Sequence, residues 1–380
     1  MSTLCLRNGI ILSDGRRVAG DVLIRDGVIV GIGDVPDPSV PFIDCSGRFL
    51  VPGFVDPHTH GCGGIDVNGA TAEDFDRMSR VYARTGVTAF VASIAADDAA
   101  RTVATIEAAV TAMKRGCAGA RLLGIHLEGP FVAPEYRATF DAEYVVPVDV
   151  DLVRRYQAAA EGHIVSITVA PELPGMDRLI PACVQMGMRV SMGHSGASYD
   201  DTMRAIKWGA TAVTHLGNAM RPLHHRGPGI LGAALDSDVY VELILDGVHV
   251  HPAFARTVLR AKGRSRVMAV SDSMMATGLG DGAYRLGSRS VVVRDGISRR
   301  EDGGLAGSTL TLDRALRNVA DWTRDPIETV LPLVGANALR WLGMDDRTGA
   351  IAEGMEADVV VLNDDLTVAS VVIGGRSVTA

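Results

Sequence analysis

Lysine is nearly missing from this chain of 380 residues. Only Lys114, Lys207 and Lys262 are present, against 34 arginines. Cysteine is sparse too, with five residues at 5, 45, 62, 117 and 183. An odd, scattered set excludes a secreted disulfide scaffold and fits a reducing cytoplasm. No uninterrupted apolar run of about 18 residues occurs, so no membrane span is expected. The start, MSTLCLRNGI, lacks a basic segment followed by a long apolar one, so no secretory leader is expected. A formal charge of −8 leaves no overall basic surface for nucleic acid. A small-molecule substrate handled in the cytoplasm is the expectation that survives. Glycine, by contrast, is abundant: many of the 43 end apolar runs, as a fold with many tight strand–helix turns requires.

The two ends read alike and unlike the middle. Residues 1–52 hold short apolar stretches broken by Asn-Gly, Asp-Gly and Ser-Gly turns, which predict strands. Residues 345–380 return to that pattern. Chain termini tend to lie together, so one small β-sandwich domain built from both ends is expected. Between them, residues 53–344 alternate apolar runs with helical periodicity. Helices are predicted at about 72–85, opened by Thr71 and Asp74, at about 98–115 ending at Gly116, and from Ser198 to Gly209. Eight strand candidates are present: GFVDPHTH, TAFVAS, LLGIHLEGP, SITVAPE, RVSMGHS, AVTHLGNAM, VELILDGVHV and RVMAVSDS. Eight strand–helix units predict an α/β fold, a closed (β/α)8 TIM-like barrel.

Polar residues stand where these apolar runs stop. His58 and His60 end the first, Glu128 the third, His194 the fifth, His215 the sixth, His249 the seventh and Asp272 the eighth. A barrel gathers all such ends at one face. Side chains two apart on a strand point the same way, so His58 and His60 can reach one ion. Each residue alone has a plainer reading. A strand-end His is more often a hydrogen-bonded core residue, Glu128 could cap a helix, and Asp272 in Ser-Asp-Ser could be an N-cap. The joint pattern carries the metal site. Imidazole and carboxylate together suit Zn, Fe, Mn or Co, with one or two ions per subunit. Cys62 beside the histidines reads either as a reactive neighbour or as a small residue in a Gly-rich turn, and the turn is favoured.

The layout resembles the amidohydrolase superfamily. Many of its members bridge two metals with a carboxylated lysine on strand 4, and strand 4 here, SITVAPE, has none. That points away from the hydantoinase, dihydroorotase and urease-like branches and gives the ligand role to Glu128. Eight segments sharpen the resemblance: HLEGPF (126–131), APE (170–172), GHS (193–195), THLGNAM (214–220), HHRGPG (224–229), DGVHV (246–250), SDSM (271–274) and LAGST (305–309). Together they are similar to the N-acetylglucosamine-6-phosphate deacetylase family across essentially the whole chain.

The resemblance implies residue roles. Glu128, His194 and His215 would be metal ligands, with His58 and His60 allowing a second ion. Asp272 would be the general acid/base. Asn218 and Ala219 would contact the sugar and its phosphate, Leu305, Ala306 and Gly307 would line the sugar site, and Arg226 with His249 would bind the phosphate. The family takes its phosphate arginine from a neighbouring subunit, so a homodimer is implied. Amide hydrolysis with these parts is physically sound. A bound metal lowers the pKa of water, and an Asp can take the water proton and return it to the leaving amine. Two positions depart from the family. The segment EYRATF puts Phe140, flanked by Thr139, where the family carries a histidine near the substrate acetyl group. Gly217 stands where an aromatic residue is common, which predicts a larger sugar pocket. A related N-acyl hydrolase, a deaminase, or a non-catalytic sugar-phosphate-binding paralogue are the competing readings.

Overall fold

The computed structural model describes residues 2–35 and 39–378. The turns at both ends break the chain into strands as their spacing predicts. Thr3–Ser13 and Arg16–Arg25 are joined by Asp14-Gly15, with φ of 50° and 69°. Two consecutive positive φ angles match the right-handed twist of a hairpin. Asp26-Gly27 repeats the device before Val28–Gly33. Phe49–Pro52 joins the two ends of the chain. It pairs parallel with Thr3–Ser13 on one side and antiparallel with Val359–Leu362 on the other. Val368–Ile373 and Arg376–Val378 complete that side, and Phe42–Asp44 pairs with Thr3–Ser13.

The run VVVL at 359–362 has no polar alternation because both of its faces are covered. Val359 and Val361 pack with Leu6, Val22, Ile24 and Leu50 in the sheet's own core. Val360 and Leu362 enter the main core of the molecule, which holds the barrel.

The second sheet has eight parallel strands in sequential order. Numbered along the barrel they are strand 1 (Phe54–Thr59), 2 (Val87–Ala95), 3 (Arg121–Glu128), 4 (Ile164–Val169), 5 (Arg189–Met192), 6 (Ala210–Val213), 7 (Tyr240–Leu243) and 8 (Val267–Ala269). Strands 8 and 1 meet just beyond their ends. There the N–H of Asp272 donates to the carbonyl of His58 at 3.0 Å, and the N–H of His60 to that of Ser273 at 2.8 Å. Three of the outer helices end where their caps predict. Thr71 and Asp74 form a capping box on Ala72–Arg84, Asp98 caps Ala99–Arg115, and Tyr199–Trp208 runs between Ser198 and Gly209.

Two features differ from the sequence reading. Strand 7 stops at Leu243, well short of His249. The Asp246 carboxylate accepts from the N–H of Val248 and of His249, and Gly247 sits at φ 81°, so the segment turns. His249 therefore lies on a loop. Strand 8 is followed by an antiparallel meander, Gly282–Leu286, Arg289–Arg294 and Ile297–Arg300, which the strand count omits.

Candidate metal centre

The site is built from His58 and Glu128 at the ends of strands 1 and 3 and from residues that follow the strands. His194, His215 and Asp272 have φ of 48°, 29° and 47°. Such left-handed conformations are uncommon for non-Gly residues and cluster where function requires them. Each lets the chain leave its strand sharply while the side chain stays over the barrel axis.

Two clusters of ligand atoms result, His58 with His60 and Asp272, and Glu128 with His194 and His215. Glu128 joins them. Its Oε1 lies 3.1 Å from His194 Nε2 and 3.0 Å from His215 Nε2, while Oε2 lies 3.1 Å from His60 Nε2. Asp272 Oδ1 is 3.4 Å from His60 Nε2 and 3.8 Å from His58 Nε2. All six side chains are buried.

The donor set fits a cation. Nδ1 of His58 faces Glu242 Oε2 at 2.9 Å, Nδ1 of His60 faces the Ser93 carbonyl at 3.0 Å, and Nδ1 of His194 faces the Tyr136 carbonyl at 2.8 Å. Those oxygens only accept, so each Nδ1 carries the proton and each Nε2 of the neutral ring keeps a lone pair. His58 Nε2 and His60 Nε2 are 3.2 Å apart, as are His194 Nε2 and His215 Nε2. Lone pairs aimed at each other repel unless a cation sits among them. Backing a ligand imidazole with an acceptor, as at three of these four histidines, is also how metal sites fix ring orientation; Nδ1 of His215 has no such partner among the described residues.

The electrostatics of the side chains by themselves show the same demand for positive charge, which protons on the histidines meet there in place of a cation. Burial alone would push His58 down, but Glu242 and Glu128 beside it hold it well above the usual histidine range. His60 is raised in the same way by Glu128 and Asp272. Burial would raise Glu128, yet the surrounding histidines hold it well below the usual carboxylate range. The pocket favours positive charge. His126, beneath the cluster, is different. Burial first, and His58 next, push it well down, so it stays neutral. It hydrogen-bonds Ser93 Oγ at 2.9 Å and Thr168 Oγ1 at 2.8 Å, filling the barrel interior.

A cavity of about 250 Å³ opens over these atoms. Thr139, Phe140, Asn218, Ala219, His249, Leu305 and Gly307 line it together with Asp272 and four of the five predicted ligands. Phe140 stacks on His194, with centroids 4.7 Å apart. Other expected positions lie elsewhere. The Ala306 side chain packs with Met274, Leu286 and Val291 instead. Arg226 is on an exposed loop with its guanidinium 2.9 Å from His225 Nε2, and does not reach the cavity of its own chain. Gly217 does not line it either; at φ 95°, a Cβ there would lie 3.4 Å from the Phe254 ring. The cavity instead gains Leu286 from the meander, tied to the facing loop by Arg289 to Asp141 at 2.6 Å. Cys62 is buried and its thiol is pushed up to about 12 by that burial, so the structural reading holds. Glu242 was missed, although one acid inside the apolar run VELIL signals a buried carboxylate that needs a partner.

Comparison with known proteins agrees with this geometry. Residues 49–378 match the amidohydrolase family. An N-acetylglucosamine-6-phosphate deacetylase of Bacillus subtilis is 37% identical over 86% of this chain and 84% of its own. An N-acetylgalactosamine-6-phosphate deacetylase of Escherichia coli O157:H7 is 32% identical over 93% of each. Among solved structures, a mutant N-acetyl-D-glucosamine-6-phosphate deacetylase of Mycobacterium smegmatis, in complex with N-acetyl-D-glucosamine-6-phosphate, superposes with a TM-score of 0.94 at 31% identity over 100% of both chains. The chain is a hydrolase acting on amides, and it belongs to the amidohydrolase family and, within it, to the N-acetylglucosamine-6-phosphate deacetylases.

Proposed function

We propose that this enzyme removes the acetyl group from N-acetylglucosamine 6-phosphate, giving glucosamine 6-phosphate and acetate. The observation that carries the reading is the position of Asp272. Its carboxylate shares one cluster with two histidines and also lines the substrate cavity. A carboxylate so placed reaches both the attacking water and the amide nitrogen.

His58, His60, Glu128, His194 and His215 would hold one or two divalent cations. Bound there, a cation supplies Lewis acidity to the amide carbonyl and lowers the pKa of water. Asp272 takes the water proton as the oxygen bonds to the acyl carbon. It then delivers that proton to nitrogen as the C–N bond breaks, so the amine leaves neutral. Phe140 stacked on His194 keeps that ligand ring in place and adds no hydrogen bond to the acyl oxygen.

Asn218, Ala219, Leu305 and Gly307 with Thr139 border the sugar. His249 contributes to the phosphate end, its Nδ1 held by Asp246 Oδ2 at 2.6 Å and its other nitrogen left for a ligand. Arg226 completes that end from the second subunit of a homodimer, which accounts for its exposure here. The working compartment is the cytoplasm, and residues 1–52 with 345–380 form the small domain beside the catalytic barrel of 53–344.

The test compares wild type with Arg226→Ala on N-acetylglucosamine and on its 6-phosphate. A charge-assisted hydrogen bond contributes about 1.5–3 kcal/mol. The substitution should therefore lower kcat/KM for the phosphorylated sugar about 10- to 100-fold and barely change it for the other. Equal losses on both, or a wild-type preference for the unphosphorylated sugar, would remove the phosphate assignment. The galacto epimer belongs in the same panel, because one relative is named for it.

A further inference from the structure

Barrel strand 7 carries Glu242, a carboxylate only 2% exposed. Its neighbours Val241 and Leu243 lie in the hydrophobic core. A charge in such a place is tolerated only when it is partnered. One oxygen, Oε2, takes two donors: the Nδ1–H of His58 at 2.9 Å and the backbone N–H of His215 at 3.2 Å. His58 belongs to one cluster of ligand atoms and His215 to the other. A single carboxylate oxygen therefore supports both halves of the centre from behind.

The two contacts act differently. At His58 the carboxylate fixes the tautomer, leaving the Nε2 lone pair toward His60 and Asp272. At His215 it pins a backbone held at φ 29°, a strained conformation for a residue with a side chain. The carboxylate adds to the main-chain bond from the Leu216 N–H to the Glu242 carbonyl at 2.8 Å, so His215 is held from strand 7 at two adjacent amides.

Charge adds a third consideration. Glu128, Asp272 and Glu242 are all buried, and among the described residues their ion pairs are with histidines, never with Lys or Arg. Three carboxylates with neutral imidazoles sum to −3. One divalent cation leaves −1, and two bring the sum to +1. Glu242 thus contributes a charge that favours a second cation.

We propose that Glu242 is a positioning residue of the metal centre, orienting His58 and pinning His215 so that each cluster holds its own divalent ion. This rests on the metal-binding reading of the site. The experiment strips wild type and Glu242→Gln of metal, titrates both with zinc against a chromophoric chelator, and measures bound zinc by elemental analysis.

Wild type is expected to hold two zinc ions per chain. Glu242→Gln should bind the weaker one about 10- to 100-fold less tightly and retain close to one after dialysis. The metal-free Tm of the two proteins should be similar, with the zinc-induced rise smaller in the variant; a packing role alone would do the reverse. If Glu242→Gln does not fold, Glu242→Asp keeps the charge but withdraws it by one methylene, and should show the same weakening. Wild-type zinc affinity and stoichiometry in a folded variant overturn the role. Saturation of wild type at one zinc overturns the assignment of an ion to each cluster. No zinc uptake by wild type sinks the metal reading itself, and this role with it.

Discussion

Asp272 sits 8% exposed at the floor of the cavity, close to two histidine nitrogens and open to a ligand. Its exchange for Asn keeps the shape and removes the base. Turnover should fall about 10²-fold or more, with zinc content, read by elemental analysis, largely retained; near wild-type turnover would assign the base elsewhere. Cys62 makes the opposite case. Burial pushes its thiol up to about 12, and its Sγ faces the Met78 carbonyl at 3.7 Å. Native protein treated with iodoacetamide at pH 8 should carry no label at Cys62 in its peptide map, because thiolate is scarce there. The side chains of the centre were legible because strand-end histidines and acids recur at positions a barrel must bring together. Two other kinds of residue were not. Glu242 has no spacing signature, only its isolation in an apolar run. Leu305, Ala306 and Gly307 were taken as one block, yet the chain bends there, with Gly307 at φ 56°, so the three do not share one face. Ala306 consequently turns into the meander's core while its neighbours line the cavity.

The helices with the most informative ends were the most legible elements. Thr71 and Asp74 bond reciprocally at the start of Ala72–Arg84, and Ser198 with Asp201 does the same for Tyr199–Trp208. These are local contacts, so local sequence reports them. Thr71→Ala should therefore lower stability by about 1 kcal/mol and leave kcat/KM unchanged, as thermal unfolding and a steady-state assay would show. Unchanged stability would mean that the capping bonds contribute nothing net. Two other elements were misjudged. The apolar run drawn through Val250 overshoots the strand, which ends at Leu243; the Asp-Gly turn that places His249 on a loop was legible, and a side chain bonding its own backbone fixes it. The meander reads as polar because one of its faces meets solvent, and only Leu286, Val291 and Val293 mark the buried face. That meander narrows the cavity mouth, which no property of the barrel itself foretells.

At the scale of the molecule, the terminal sheet and the barrel are continuous. Phe49–Pro52 ends one residue before barrel strand 1 begins, and a Cβ on the intervening Gly53 would lie 2.0 Å from Thr88 Oγ1. Glycine is needed where strands approach this closely. The union of the two chain ends was legible because both are rich in turns and strands, whereas their sharing of a single sheet depends on long-range pairing that composition does not encode. The junction of strands 8 and 1 has a further consequence. It is closed by side-chain bonds of Thr59 to Ser273 and of Asp56 to the Ser271 amide, and by the amides of His60 and Asp272, whose side chains are also ligand candidates on opposite edges of the gap. A cation bound between them would act as a clasp across this junction. Deuterium uptake measured residue by residue should show those two amides among the slowest in zinc-loaded protein and among the first to accelerate once zinc is withdrawn, while amides in the middle of strand 3 keep their protection. Uniform acceleration around the whole cylinder would show instead that the ions stabilise the fold without closing it at that point.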